Sequence, residues 1–182
     1  MRQPKMLLAW GTTTVIGQVI STYAAAGVDE IVIVTGGARE EVERESLRVA
    51  QRIPVRCIHN QNHDSGEMLS SLQTGLNGLG THVEAALIGL GDQPQLSMNA
   101  VQKVISTYQE TTSPLIVPSF NMHRGHPWLV DRCLWFRLMD LQPPQILRNF
   151  LHECASFIFY VEADQTILKD LDTPEEYQRE KP

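Results

Sequence analysis

Asp92 follows the apolar run Ala86-Leu87-Ile88-Gly89-Leu90-Gly91, so a lone carboxylate is delivered where a buried strand ends, flanked by Gly91 and by Gln93-Pro94. In open α/β sheets ligands gather outside the carboxyl ends of the strands, and a metal ligand sits at such a place. The same residues are good turn chemistry, and Asp92 equally suits a cap for the turn into a helix beginning near Ser97. Near the start, Arg2 and Lys5 flank Gln3-Pro4 ahead of Met6-Leu7-Leu8, a basic tip of the kind that closes over an anion. Arg124-Gly125-His126-Pro127 combines a guanidinium suited to bidentate anion contacts with a glycine that permits close backbone approach, or is an ordinary hairpin tip. Asp172 precedes Thr173-Pro174-Glu175-Glu176, a good helix start with Thr173 as N-cap and Pro174 at the first helical position. His59 and His63 stand four apart, but among turn formers and with no third ligand, so a loop is favoured over a zinc helix.

The elements that position these side chains alternate in period. Val15, Ile16, Val19, Ile20 and Tyr23 recur at helical spacing from Thr13 to Ala26, and Gly27 supplies a stop. Ile31-Val32-Ile33-Val34 is β-branched throughout and predicts a strand covered on both faces, the parallel-sheet pattern. A charged helix over 39–52, whose acidic face is solvated, leads to a strand at 55–58. Leu69, Leu72, Leu76 and Leu79 mark another helix, and 85–90 another buried strand. Ser97 caps a helix carrying Val101, Val104, Ile105 and Tyr108, which delivers the chain to a strand at 115–117. The rhythm then breaks in a turn-rich excursion over 120–130, before a helix at 146–154 and a strand at 157–161. This order predicts a three-layer α/β fold with a mostly parallel sheet and right-handed crossovers.

Bulk properties narrow the function classes. The 182 residues suit one domain, 1–182, and 42% hydrophobic with 20% charged residues exclude disorder or a fibrous repeat. A net charge of -6 argues against coating nucleic acid or an anionic membrane, so a phosphate ligand must be held locally. Cys57, Cys133 and Cys154 are odd in number and lack a CxxC, as expected of reduced core thiols in a cytoplasmic protein. No apolar stretch of the sequence is long enough to span a bilayer.

Five blocks occur in order: Gln3-Pro4-Lys5-Met6-Leu7-Leu8, Gly66-Glu67-Met68-Leu69-Ser70-Ser71-Leu72-Gln73-Thr74-Gly75-Leu76, Leu90-Gly91-Asp92-Gln93-Pro94, Arg124-Gly125-His126-Pro127 and Asp170-Leu171-Asp172-Thr173-Pro174-Glu175-Glu176. Together they resemble the molybdenum cofactor nucleotidyltransferase family, closest to its cytidylyltransferase branch, over nearly the whole chain. The resemblance implies a Rossmann-like fold of the nucleotide-diphospho-sugar transferase type. It also implies transfer of CMP or GMP from CTP or GTP to the terminal phosphate of molybdopterin, with Mg²⁺ and release of pyrophosphate. Transient contact with molybdoenzyme maturation proteins follows from the same likeness. Two alternatives stay open: a sugar- or alcohol-phosphate nucleotidyltransferase, and a non-catalytic cofactor-binding or maturation partner.

The resemblance assigns roles residue by residue. Lys5 is the signature lysine against the triphosphate, and Asp92 the metal aspartate. Asp172 is a second metal ligand, with Asp170 a weaker substitute. Gly66, Ser70 and Ser71 bind nucleotide, helped by the positive end of their helix. Arg124, Gly125 and His126 line the acceptor side, His126 as an orienting group, because a phosphate-monoester nucleophile is already anionic. One departure is large. In the family the Pro-Lys block follows a strand and a Leu-Ala-Ala-Gly loop whose amides cradle the triphosphate, whereas here Met1 aligns inside that motif and Arg2 stands where Gly is usual. The expectation is a start internal to a longer protein, or a weakened form. Without that strand, central backbone groups stay unpaired and apolar neighbours exposed.

Overall fold

A computed structural model describes residues 4–50, 53–65, 68–143 and 146–182. A short antiparallel ribbon, β1 (Ala9–Trp10) with β2 (Thr13–Thr14), leads into α1 (Val15–Ala26). Thr14 caps α1: its hydroxyl accepts from the Gly17 N–H at 3.1 Å, satisfying one of the orphan donors of the first turn. Gly27 ends the helix in the left-handed region at φ 94°, which a side chain would resist. The buried face of α1 is the predicted one: Val15, Ile16, Val19, Ile20 and Tyr23.

β3 (Ile31–Thr35), α2 (Arg39–Val49) and β4 (Val55–His59) form a parallel βαβ unit, registered from Ile31 opposite Val55 to Thr35 opposite His59. Arg39–Glu43 and Arg48–Glu45 ion pairs lace the exposed face of α2. Next come α3 (Met68–Gly78), β5 (Ala85–Ile88) and α4 (Met98–Thr111). Ser97 caps α4, accepting from the Ala100 N–H at 3.0 Å. The turn-rich excursion is a hairpin of β6 (Leu115–Phe120) with β7 (His123–Arg124), after which β8 (Trp128–Asp131) returns. α5 (Trp135–Asp140), α6 (Leu147–Glu153), β9 (Ile158–Glu162) and α7 (Pro174–Glu180) complete the chain.

The fold is α/β with mostly parallel strands, but the strands lie in separate ladders. Among the described residues β3 pairs only with β4, while β8 inserts antiparallel between β5 and β6, and β9 adds parallel to β6. β5, β6 and β9 therefore run one way, with β8 opposed. The apolar cores lie on both sides: α1 and α4 pack one face around Val19, Tyr23 and Val101, and α3, α5 and α6 pack the other around Leu69, Leu138 and Phe150. Ile31–Val34 and Ala85–Ile88, expected to be covered on both faces, are only partly buried, because a cavity of about 970 Å³ separates them. The thiols also differ from expectation. Cys154 is buried and Cys57 partly so, but Cys133 is exposed in the turn after β8. Among the described residues no helix is long and apolar enough to cross a membrane.

Candidate functional site

The blocks converge at the carboxyl end of β5. Lys5 opens a single 3-10 turn, Lys5–Leu7, which Pro4 starts by accepting from the Leu7 N–H at 3.0 Å. The Lys5 Nζ donates to Asp92 Oδ2 at 2.8 Å and lies 3.6 Å from Asp172 Oδ1. Three segments far apart in sequence meet here, tied by the Leu171 N–H donating to the Asp92 carbonyl at 3.2 Å. Asp92 thus engages Lys5, and the start of α4 is left to Ser97.

Asp172 stands at the entry to α7 while its carboxylate lies beside Lys5. The Thr173 hydroxyl accepts from the Glu176 N–H at 3.1 Å, and Glu176 Oε2 accepts from the N–H groups of Asp172 and Thr173, each at 2.9 Å. That capping box fixes the backbone while the Asp172 carboxylate turns to Lys5. Asp170 joins the group: burial, then the charges of Asp172 and Asp92, raises its pKa above the usual carboxylate value. Two carboxylates on one ammonium, with Asp170 near enough to feel both of their charges, leave the site anionic, an environment that attracts a hard cation and repels a bare polyphosphate. Among the described residues no three His, Cys, Asp or Glu side chains stand close enough to hold a metal by themselves. His59 and His63 meet only edge to face, with ring centroids 5.5 Å apart.

His126 reaches the same place from β7–β8. Its Nδ1–H donates to the Ile88 carbonyl at 3.2 Å and its ring stacks on Trp128 at 4.6 Å. Burial pushes its pKa below 6.5, against the opposing pull of the Ile88 carbonyl, Asp92 and Asp170. Burial thus favours the neutral imidazole, which the Ile88 carbonyl holds at the strand end. Arg124 is not brought in: it is exposed, with its guanidinium 5.4 Å from the Tyr160 ring. The close approach that Gly125 permits is made by its own chain, since an added Cβ would fall 2.3 Å from the Ile167 carbonyl oxygen. That carbonyl also accepts from the His126 N–H at 3.1 Å, which fixes the loop beside Asp92.

Ser70 and Ser71, in the first turn of α3, are both engaged by Asn60, whose Nδ2 donates to their hydroxyls at 2.9 and 3.1 Å. Asn60 is buried and its backbone N–H donates to the Thr35 carbonyl at 2.9 Å, so it pins α3 to the carboxyl ends of β3 and β4. Ser71 also lines the large cavity together with Met6 and Gly91. Gly66 and Arg2 lie outside the described residues. Sequence reasoning missed Asn60 as the organiser of the serines; the signal was an amide at the end of a strand, ten residues before Ser70.

The fold is that of nucleotidyltransferases. Rv0371c from Mycobacterium tuberculosis H37Rv superposes with a TM-score of 0.80 at 22% identity, covering 98% of this chain and 89% of that one. A nucleotidyl transferase from Methanothermobacter thermautotroptrophicus gives 0.76 at 24% identity, covering 96% and 82%. The 4-diphosphocytidyl-2C-methyl-D-erythritol synthase of Anaerococcus prevotii DSM 20548 gives 0.74 at 13% identity, covering 94% and 86%. No curated protein sequence matches the chain. Residues 1–157 match the MobA-like NTP transferase domain, a span that holds Lys5, Asp92 and His126 and stops short of Asp170 and Asp172; the chain belongs to that family.

Proposed function

We propose that the chain transfers CMP or GMP from the corresponding nucleoside triphosphate to the terminal phosphate of a molybdopterin-type acceptor. The observation that carries this reading is the Lys5 ammonium between Asp92 and Asp172 at a strand end, 2.8 and 3.6 Å away. An acceptor phosphate oxygen attacks the α-phosphorus, the new P–O bond forms, and the α–β bridge breaks to release pyrophosphate. No proton need be removed, which agrees with a neutral, orienting His126. The protein must align the groups and offset charge on the non-bridging and leaving oxygens, and Lys5 is placed for the second task.

The donor chemistry fits Mg²⁺, which takes one or two carboxylates and completes its shell with water and substrate phosphates; Asp92 and Asp172 would hold it, with Asp170 beside them. When bound, the ion supplies charge neutralisation at the phosphates. A structure of the mycobacterial neighbour in complex with manganese supports use of a divalent ion at this fold. Ser70 and Ser71 would meet the nucleotide from the α3 side, and Gly125 and His126 would border the acceptor.

The test is product identification after incubation with CTP or GTP, Mg²⁺ and either molybdopterin or other phosphate acceptors. The expected product is a molybdopterin dinucleotide with stoichiometric pyrophosphate. A product formed only with sugar or alcohol phosphates would replace the acceptor assignment. Binding of molybdopterin with no nucleotide binding at all would replace the reaction by cofactor binding.

A further inference from the structure

Asp172 reaches Lys5 on a connection with little regular structure of its own. Residues 163–172, between β9 and α7, contain one 3-10 turn, Gln165–Leu168. Ala163, Ile167 and Leu171 are buried there, while Gln165, Leu168, Asp170 and Asp172 are exposed. Such a loop takes its shape from the scaffold that holds it. The Ala163 N–H donates to the Ser119 carbonyl in β6 at 2.9 Å. The Ser97 N–H donates to the Thr166 hydroxyl at 3.0 Å and the Ser97 hydroxyl to Asp164 Oδ2 at 2.6 Å, which ties the connection to the start of α4. The Ile167 carbonyl accepts from the His126 N–H, and the Leu171 N–H donates to the Asp92 carbonyl, with the Leu171 side chain packed beside Trp10 and Val15.

The tightest of these contacts is at Gly125. It is buried, and both of its polar groups are engaged: its N–H donates to the Pro118 carbonyl at 3.0 Å, and its carbonyl accepts from the Trp128 Nε1–H at 2.9 Å. It therefore borders the acceptor side with no free donor to offer there. The Ile167 backbone lies where a side chain would be, since an added Cβ would stand 2.3 Å from the carbonyl oxygen and 2.7 Å from the carbonyl carbon, closer than any Cβ packs. Backbone cannot swing aside as a side chain does, so room for a Cβ comes only from lifting the connection that carries Asp172.

We infer that Gly125 and Thr166 are positioning residues for Asp172: by seating the Ile167 carbonyl and anchoring the turn around it, they hold the Asp172 carboxylate 3.6 Å from the Lys5 Nζ and so set the cation affinity of the strand end. Groups that orient a ligand weaken metal binding when lost even though they touch no metal themselves. The consequence for metal binding rests on the role proposed above for Asp172, whereas the seating of the connection does not. A residue needed only for the acceptor would leave cation binding unchanged.

The probe is Mn²⁺ alone, titrated into the full chain without nucleotide or acceptor and followed by water proton relaxation, beside amide hydrogen exchange of the same proteins. Gly125→Ala should raise the Mn²⁺ dissociation constant at least about tenfold. Its His126 and Leu171 amides should exchange at least about tenfold faster, while Ile116 and Val117 in β6 keep the parent rate. Thr166→Val removes the hydroxyl at nearly equal volume and should shift the Mn²⁺ constant and the Leu171 amide in the same directions, several-fold; Thr166→Ser should restore the parent values. If Gly125→Ala also speeds Ile116 and Val117, the whole fold has loosened and Thr166→Val decides. Unchanged Leu171 exchange in both Gly125→Ala and Thr166→Val overturns the proposal, and so does parent-like Mn²⁺ affinity in a variant whose Leu171 amide has loosened. A parent chain that binds no Mn²⁺, with exchange responding as expected, removes the metal role and upholds the seating.

Discussion

The two halves of the strand layer have similar sequences and different environments. Leu115, Ile116 and Val117 of β6 and Val130 of β8 are fully buried, with strands on both sides and helices above and below. Ile31–Val34 of β3 have the same β-branched character and a helix on each face, yet remain partly exposed because one edge borders the cavity. A β-branched run therefore specifies an extended strand. Its coverage is set by neighbours that come from elsewhere in the chain.

The contrast is sharpest in stability. Phe150→Ala removes a fully buried ring from the closed half and should cost about 3–5 kcal/mol, read as a fall in the urea midpoint. Ile33→Ala in the open half should cost no more than about 2 kcal/mol, since its surroundings already contain a cavity. Equal losses at the two sites would break the comparison.

Much of this was legible in the sequence. The spacing of Val15, Ile16, Val19, Ile20 and Tyr23 marks the buried face of α1, Gly27 its end, Ser97 the start of α4, and Thr173-Pro174 with Glu176 the start of α7. Those signals are local. The insertion of β8 between β5 and β6 was not legible, because strand order joins segments tens of residues apart; an unpaired gap in the central sheet was expected from the resemblance, but not that it would fall between β3 and β5. At the site, residue types were readable and directions were not. Lys5 and Asp92 meet across 87 positions, whereas Arg124 turns to Tyr160 because the β7 hairpin aims it there.

A second prediction concerns the anchor of α4 in the closed half. The Tyr108 hydroxyl donates a short hydrogen bond to the Asp131 carboxylate; burial alone would raise the Asp131 pKa, but this bond and that from the Cys133 N–H outweigh it and lower it. Tyr108→Phe should cost about 1–2 kcal/mol at neutral pH, with a smaller penalty in acid where Asp131 is protonated in both proteins. A pH-independent penalty would assign the loss to packing.

The smallest expected effect is the pH response of the strand end. His126 has its folded pKa depressed below 6.5, chiefly by burial. Its neutral form therefore favours the fold above the unfolded pKa, and that contribution is lost as pH falls through the folded value. Asp170, raised by burial and by Asp172 and Asp92, acts in the opposite sense: its charged form opposes folding at neutral pH, and protonation relieves it. His126→Gln should flatten the acid side of the stability profile below about pH 6.5. An unchanged slope would place the acid sensitivity elsewhere.

The central claim is that Lys5, Asp92 and Asp172 form a metal-assisted nucleotide site, and the most direct measurement is CTP and GTP binding with and without Mg²⁺ by the chain and by Asp92→Asn. The account predicts Mg²⁺-dependent binding by the parent chain and its loss in Asp92→Asn, with the thermal midpoint of the variant preserved. Undiminished Mg²⁺-dependent binding by Asp92→Asn would contradict it.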